Sequence, residues 1–402
     1  MSRDSRRLYA SPEAISRITP SLCWDFLEPF SIPLAEAGFV LPARSHAEKL
    51  DLPKLISAIT TAAAKGGNEV NALSDALFFT SLIATPKNRR LLQEEIEARR
   101  LTKKLAVPDT LSDADYVIRV WLADHGLLEA AASRATLKSR RAFHYYLPTD
   151  LQVAAAIDPV NATQLEALRS ILLAALKQDG RGRGLAIIPF LESPDEDWYL
   201  IRRSRLPERI TYHDDHGNEV SLSVWLRVYD AIFFDRRTGV LKINARDDLE
   251  ELFRAAFGAF YTGNPAFFDK RSIFTLAPLR SADPNTLHCE EGSGLSSVTL
   301  AECMYHLYED GTLTKHVVAK KDWYGETRGL RAPIPDNAEI LGHARFDVKS
   351  TRNSAATRCT VHEGNVLSIS RDEVSVAFED FLRQPEHLFM KHVHLLTRAV
   401  AA

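Results

Sequence analysis

The six residues DGRGRG at 179–184 mark the point where the hydrophobic period of the chain changes. Upstream, apolar residues recur every three or four positions, the spacing of amphipathic helices. Downstream come short β-rich runs separated by turn signals, the pattern of an antiparallel meander. A helix ends at this segment and a strand follows, with Gly180 suited to the residue after a helix C-cap. Phosphate-binding loops run the other way, from strand into helix, so the glycines here do not make one. The fold class read from this change is α+β: a helical N-terminal half, an antiparallel β-rich meander, then a mixed α/β C-terminal region. The corresponding segments are 1–178, 185–268 and 270–402.

In the first segment, LPKLISAITTAAAK (52–65), EVNALSDALFFTSLIA (69–84), NRRLLQEEIEARRLTKKL (88–105) and NATQLEALRSILLAALKQ (161–178) have helical spacing. Asn161 is placed to cap the last of them. The runs LAIIPFLE, DWYLIRR, RITYH, EVSLSVWLRV, AIFFD and VLKINA form the meander, between about 185 and 245. DDLEELFRAAFGAFY (247–261) reads as a helix with Asp247 and Glu250 in capping-box spacing. In the last segment, SVTLAECMYHLYED and EHLFMKHVHLLTRAV are expected to be helices.

Hydrophobic residues make up 45% of the 402 and charged residues 26%, as in an ordinary globular protein. The net charge of −3 leaves no global attraction for nucleic acid, so any such contact must come from a local basic patch. No secretory leader or membrane-spanning run is expected. Four cysteines in a chain of this length make no disulfide framework and suit a reducing cytoplasm. Arginine outnumbers lysine 35 to 15, a composition common in GC-rich bacteria.

One motif points to metal-dependent chemistry. Pro335-Asp336, ten intervening residues, and Asp347-Val348-Lys349 match the nuclease pattern PD-(D/E)xK, in which two carboxylates hold Mg²⁺ and a lysine polarises the attacking water. The carboxylates meet only if the chain folds back near Gly342. Residues 338–349 also alternate apolar and polar. As one extended strand, this stretch puts Asp336 roughly 36 Å from Asp347, at ~3.3 Å per residue. No single cation spans that distance. Two C-x2-H elements, Cys303/His306 and Cys359/His362, have the residue types of a zinc site but not the tight turns that such sites use. The cluster YHDDHGNE (212–219) reads as a polar hairpin tip.

The segment 112–150 reads as a helix, a stop at Gly126, the pair Leu127-Leu128, a basic loop and the strand AFHYYL. That order resembles the last helix and wing of winged-helix domains, over about 40 residues. The resemblance implies that Arg134, Lys138, Arg140 and Arg141 lie on a wing, where such residues contact phosphates. The helix before it carries Asp113, Asp115 and Asp124 against Arg119 alone, which duplex DNA would repel. A second basic patch comprises Arg181, Arg183, Arg202, Arg203 and Arg205, with Arg209 close by.

The chain carries no G-x-S-x-G, H-E-x-x-H or Walker motif. The expectation is therefore a non-catalytic binding or adaptor subunit without a cofactor, in a bacterial cytoplasmic system of the defence or mobile-element type. It would contact nucleic acid or a partner protein through the two basic patches. The alternative is a Mg-dependent nuclease using Asp336, Asp347 and Lys349.

Overall fold

The computed structural model describes residues 8–9, 11–65, 68–105, 107–108, 110–178, 181, 184–190, 195–206, 208–213, 219–224, 227–246, 248–281, 283–309, 312–319, 332–352, 355–369, 373–384 and 389–391. The chain divides into two compact units, Met1–Leu137 and Lys138–Ala402. The fold is α+β, with most helices N-terminal and one large antiparallel sheet. No described helix is long and apolar enough to cross a membrane.

The first unit is built from α1 (Pro12–Ile15), α2 (Pro20–Leu27), α3 (Ser31–Glu36), α4 (Leu52–Lys65), α5 (Asn68–Ile83), α6 (Pro86–Ala98), α7 (Thr102–Leu105), α8 (Asp113–Ala123) and α9, which starts at His125 and ends at Lys138. Ser11, Thr85 and Ser112 start α1, α6 and α8 by accepting the backbone N–H three residues on. The helix expected over 88–105 breaks after Ala98, where Arg100 takes a positive φ of 57°. Phe26, Leu55, Leu77, Leu92, Val117 and Leu128 belong to a single core.

The wing expected over 112–150 is replaced by helix. The Asp124 carboxylate accepts the N–H groups of Gly126 at 3.0 Å and Leu127 at 3.3 Å, so Gly126 lies in a helix's first turn. Leu127, Leu128, Ala131, Ala132 and Ala135 are buried at helical spacing and carry α9 onward. Arg134 and Lys138 thus sit on a helix. The strand that follows is internal to the sheet, not one arm of a hairpin.

The second unit contains thirteen strands among its described residues: β1 (Ala142–Pro148), β2 (Ala186–Phe190), β3 (Glu196–Ser204), β4 (Glu208–His213), β5 (Glu219–Val224), β6 (Arg227–Asp235), β7 (Val240–Asn244), β8 (Phe268–Asp269), β9 (Leu295–Glu309), β10 (Thr312–Ala319), β11 (Ile340–Ser350), β12 (Thr357–His362) and β13 (Val366–Ser368). Its helices are α10 (Leu151–Ala155), α11 (Ala162–Gln178), α12 (Glu250–Thr262) and α13 (Glu373–Arg383). Asn161 and Gln164 cap α11 reciprocally. Asp247 lies outside the described residues, and α12 begins after Leu249.

The main sheet runs β10-β9-β11-β12-β13-β1-β7-β6-β3-β2, with β8 on the far end of β1, and β4 pairs β5 separately. Every pairing is antiparallel. Because β1 lies between β7 and β13, segments expected to be separate, 185–268 and 270–402, share one sheet. The expected boundaries near 178 and 268 therefore fall inside a single unit.

One face of β1, β7, β6 and β3 carries Tyr146, Leu241, Ile243, Ile232, Phe234 and Tyr199. Leu168, Leu172 and Leu176 of α11 and Phe253 and Phe257 of α12 pack with them. On the other face, the register aligns Tyr145, Lys242, Phe233 and Trp198 in a row. Helix α13 covers this side. Its Phe378 meets Phe346 of β11, and its Glu379 bonds to Tyr145 and Lys242.

SVTLAECMYHLYED, expected to be helical, lies in β9 up to Glu309, and Asp310 is outside the described residues. A register shift between Arg345 and Phe346 of β11 skips Ala301 of β9. That extra residue turns an apolar period of two into the spacing Val298, Leu300, Cys303, Tyr305. The three-residue step imitates a helix.

Candidate nucleic-acid interface

The pairings His144↔Ile243, Ala231↔Asn244, Ser204↔Arg227 and Ala186↔Arg202 bring five strand ends to one end of the sheet. These are the starts of β1, β6 and β2 and the finishes of β7 and β3. Lys138, Arg140 and Arg141 precede β1, Arg246 follows β7, Arg227 opens β6, and Arg202, Arg203 and Arg205 close or follow β3. Arg181 stands just before β2. Apart from Arg134, which lies in the first unit, the described residues of the two basic patches, remote in number, therefore share one rim. Arg183 lies outside the described residues.

Arg203 and Asp230 anchor this rim from within. Arg203 Nε donates to Asp230 Oδ2 at 2.6 Å, Arg203 Nη2 reaches Oδ1 at 3.4 Å, and both side chains are fully buried. Arg203 Nη2 also donates to the Arg246 carbonyl at 3.1 Å, and the Arg246 N–H donates to Asp230 Oδ1 at 2.9 Å. Burial raises the Asp230 carboxyl above its ordinary range, opposed by the Arg203 pair, the Arg246 N–H and the charge of Arg140. Arg203 thus holds the rim together and is not a contact residue.

Around this anchor, Arg141 and Arg246 are exposed, and Lys138 and Arg140 half-exposed. Arg140 Nε is buried and has no hydrogen-bond partner among the described residues. Burial, and then the neighbouring Arg246 cation, lower the Arg140 guanidinium from its ordinary value. Arg134 lies in the first unit, with its Nη2 3.4 Å from Glu95.

No protein-family profile matches the chain, and no curated protein matches it.

The remaining sequence candidates are not brought together. Asp336 lies in a turn ahead of β11, where its carbonyl accepts from Arg280, and β11 then runs unbroken from Ile340 to Ser350. The bulge at Gly342 does not reverse it. The strand from Ile340 to Asp347 alone spans roughly 23 Å at ~3.3 Å per residue. One cation cannot bridge Asp336 and Asp347. Asp347 instead faces Arg358, at 3.3 Å, and Lys349 is exposed two positions along.

Cys303 and Cys359 are buried on the inner side of the sheet, while His306 and His362, three residues on, point to the other side. Among the described residues no group of three or more His, Cys, Asp or Glu side chains could hold a metal ion. The tip 214–218 lies outside the described residues, as do His387 and His394, and Lys391 pairs with Glu363 at 3.1 Å.

Two features escaped the sequence reading. Arg246 is a lone arginine in sequence and joins the rim only through the β7–β1 pairing. The second is a buried charge network beneath α13. Lys242 contacts Glu379 at 2.7 Å and Glu196 at 3.3 Å, Tyr145 Oη donates to Glu379 at 2.7 Å, and Arg383 reaches Asp235 and Glu379, each at 3.4 Å. Lys242 is 1% exposed and Glu379 5%, so this cluster is closed to substrate and fastens α13 to the sheet. The helix was not among those expected, although Val374, Phe378, Phe381 and Leu382 have helical spacing and are buried.

Proposed function

We propose that the chain is a non-catalytic nucleic-acid-binding or adaptor subunit, and that the basic end of its sheet is the surface that meets a phosphate backbone. The observation that carries this is the gathering of Lys138, Arg140, Arg141 and Arg246 at the adjoining ends of β1 and β7, around an aspartate already engaged by Arg203. In a chain of net charge −3 such a local surplus of cations attracts polyanions without global help. Phosphate contacts position a duplex or a single strand without reading its bases, which suits an adaptor whose specificity comes from another component. A bacterial cytoplasmic setting, in a defence or mobile-element system, belongs to the same proposal and rests on composition alone.

The test is retardation of labelled DNA and RNA in EDTA across a salt series, then incubation with Mg²⁺. Four phosphate contacts predict a fall in log K with log salt of slope about −3 to −4. The double variant Lys138→Glu/Arg141→Glu should weaken binding at least tenfold while leaving circular dichroism unchanged. Binding that ignores this charge reversal overturns the proposal. So does the absence of any retardation, which would point the rim at an acidic protein instead. Mg²⁺-dependent cleavage would contradict the non-catalytic part.

A further inference from the structure

The Arg203 guanidinium binds Asp230 directly, and the Arg140 cation acts on the same carboxylate by charge. Arg203 takes both carboxylate oxygens, and the Arg246 backbone N–H takes a further position on Oδ1. Asp230 is therefore committed inward. Asn244 Nδ2 donates to the Ala142 carbonyl at 2.6 Å, and the Arg141 carbonyl accepts from Ile369 N at 3.3 Å. The first bond, with the β1–β7 register, sets the chain at 140–142 beside the chain at 244–246, and the second ties residue 141 to the chain after β13, so the Arg140 and Arg246 side chains start from neighbouring strand ends. Neither has a carboxylate partner among the described residues.

The Arg246 cation acts on Arg140 as a like charge, a repulsion that an anion bound between them would relieve. Arg140 adds a specific deficit, since its Nε is buried without an acceptor. A buried guanidinium N–H without an acceptor is destabilising, because its hydration has been removed and nothing replaces it. Two guanidinium forks with open donors suit a tetrahedral oxyanion, which accepts bidentate hydrogen bonds from each. The charged and titratable groups acting on Arg140 are Arg246, Asp230 and Tyr229, so a dianion there would meet net positive charge.

We propose that Arg140 and Arg246 form a seat for one phosphate group, a defined point on the broader rim where a single phosphoryl group of the nucleic acid is gripped. This rests on the reading of the rim as a nucleic-acid surface, but it can fail separately. The seat is a local, stoichiometric site that inorganic phosphate alone should fill.

The experiment uses the full chain with inorganic phosphate as probe. Thermal melting is followed as phosphate replaces chloride at constant ionic strength, for wild type, Arg140→Gln, Arg246→Gln and Arg140→Lys. Wild type should gain several degrees with a saturable dependence on phosphate. Arg246→Gln alters an exposed side chain, so it should fold normally and lose most of that gain. Arg140→Lys keeps the charge but not the fork and should retain only part of it. General salting-out by phosphate would act on all variants alike, which separates it from a site.

In the salt series, the double variant Arg140→Gln/Arg246→Gln should reduce the slope by about one, the equivalent of one lost phosphate contact. Equal responses of wild type and Arg246→Gln to phosphate would overturn the seat. If those responses are equal while Lys138→Glu/Arg141→Glu still abolishes retardation, the seat is wrong and the rim stands. If no variant affects nucleic-acid binding, both are wrong.

Discussion

Lys242 Nζ lies 2.7 Å from Glu379 Oε2, and both side chains are almost wholly removed from solvent. The pair joins the middle of the sheet to α13, and Tyr145 adds its hydroxyl to the same carboxylate. A buried pair of this kind gains little over a well-packed apolar one, but breaking it strands a charge. Glu379→Ala should therefore lower unfolding free energy by about 3–5 kcal/mol, the usual cost of such a loss. Glu379→Gln keeps an acceptor for Tyr145 and should cost less. Urea denaturation of the two variants measures the difference, and equal stability of Glu379→Ala and wild type would show that Glu196 alone suffices for Lys242.

Asp230 offers a second case at the rim. Asp230→Ala takes the carboxylate from fully buried Arg203 and an acceptor from Arg246 N–H, again a loss of about 3–5 kcal/mol. The same change releases the strand ends that hold the rim in shape. Nucleic-acid binding should weaken with it, although a negative charge has been removed. Tighter binding would mean that the rim acts through net charge alone.

Gly258, within α12, faces the turn after that helix. A methyl group there would stand 2.7 Å from the Asn264 carbonyl oxygen and 3.2 Å from that of Pro265. Both are backbone atoms and cannot swing aside. Replacing an interior helical glycine by alanine gains up to about 1 kcal/mol in propensity, whereas overpacking costs about 1–3 kcal/mol. Gly258→Ala should thus be destabilising on balance, by calorimetry or denaturant titration. A stabilised variant would show that the turn at 264–265 yields.

The histidines of the sheet set a pH dependence. Burial is the main cause that lowers His144 and His362 from the ordinary 6.5; Lys270 adds to it at His144 against the opposing Glu250, and His343 and His144 add to it at His362. As pH falls below 6.5, the unfolded chain binds protons before the folded chain does. This contribution to stability is complete above 6.5 and is lost as pH falls through the depressed values. The melting temperature should drop between pH 7.5 and 5.5, and His362→Gln should flatten that slope.

What could be read from the sequence follows the range of the interactions involved. Helices α4, α5, α11 and α12 and the strands of the meander are set by local period, and local period was visible. The wing failed because the Asp124 cap outweighs the helix-breaking tendency of Gly126, and β9 was mistaken for a helix because one bulged residue altered its period. The rim was legible as residue types and not as a place. Arg140 and Arg246 meet only through a register between strands about a hundred residues apart, and a single sequence does not display registers.

The position of β1 has a consequence for how the molecule is made. This strand, at 142–148, finds one neighbour, β7, within about a hundred residues but waits for β13, at 366–368, for the other. While a ribosome adds the intervening chain, one edge of β1 stays unpaired, as edges do when a partner is encoded late. At roughly 5–20 residues per second that exposure lasts on the order of ten seconds or more. The helical first unit has all its core residues before that interval starts. The sheet can close only when its last strand has been made, so premature termination between the end of β7 and residue 366 should yield a chain whose first unit is complete and whose sheet keeps an adhesive edge.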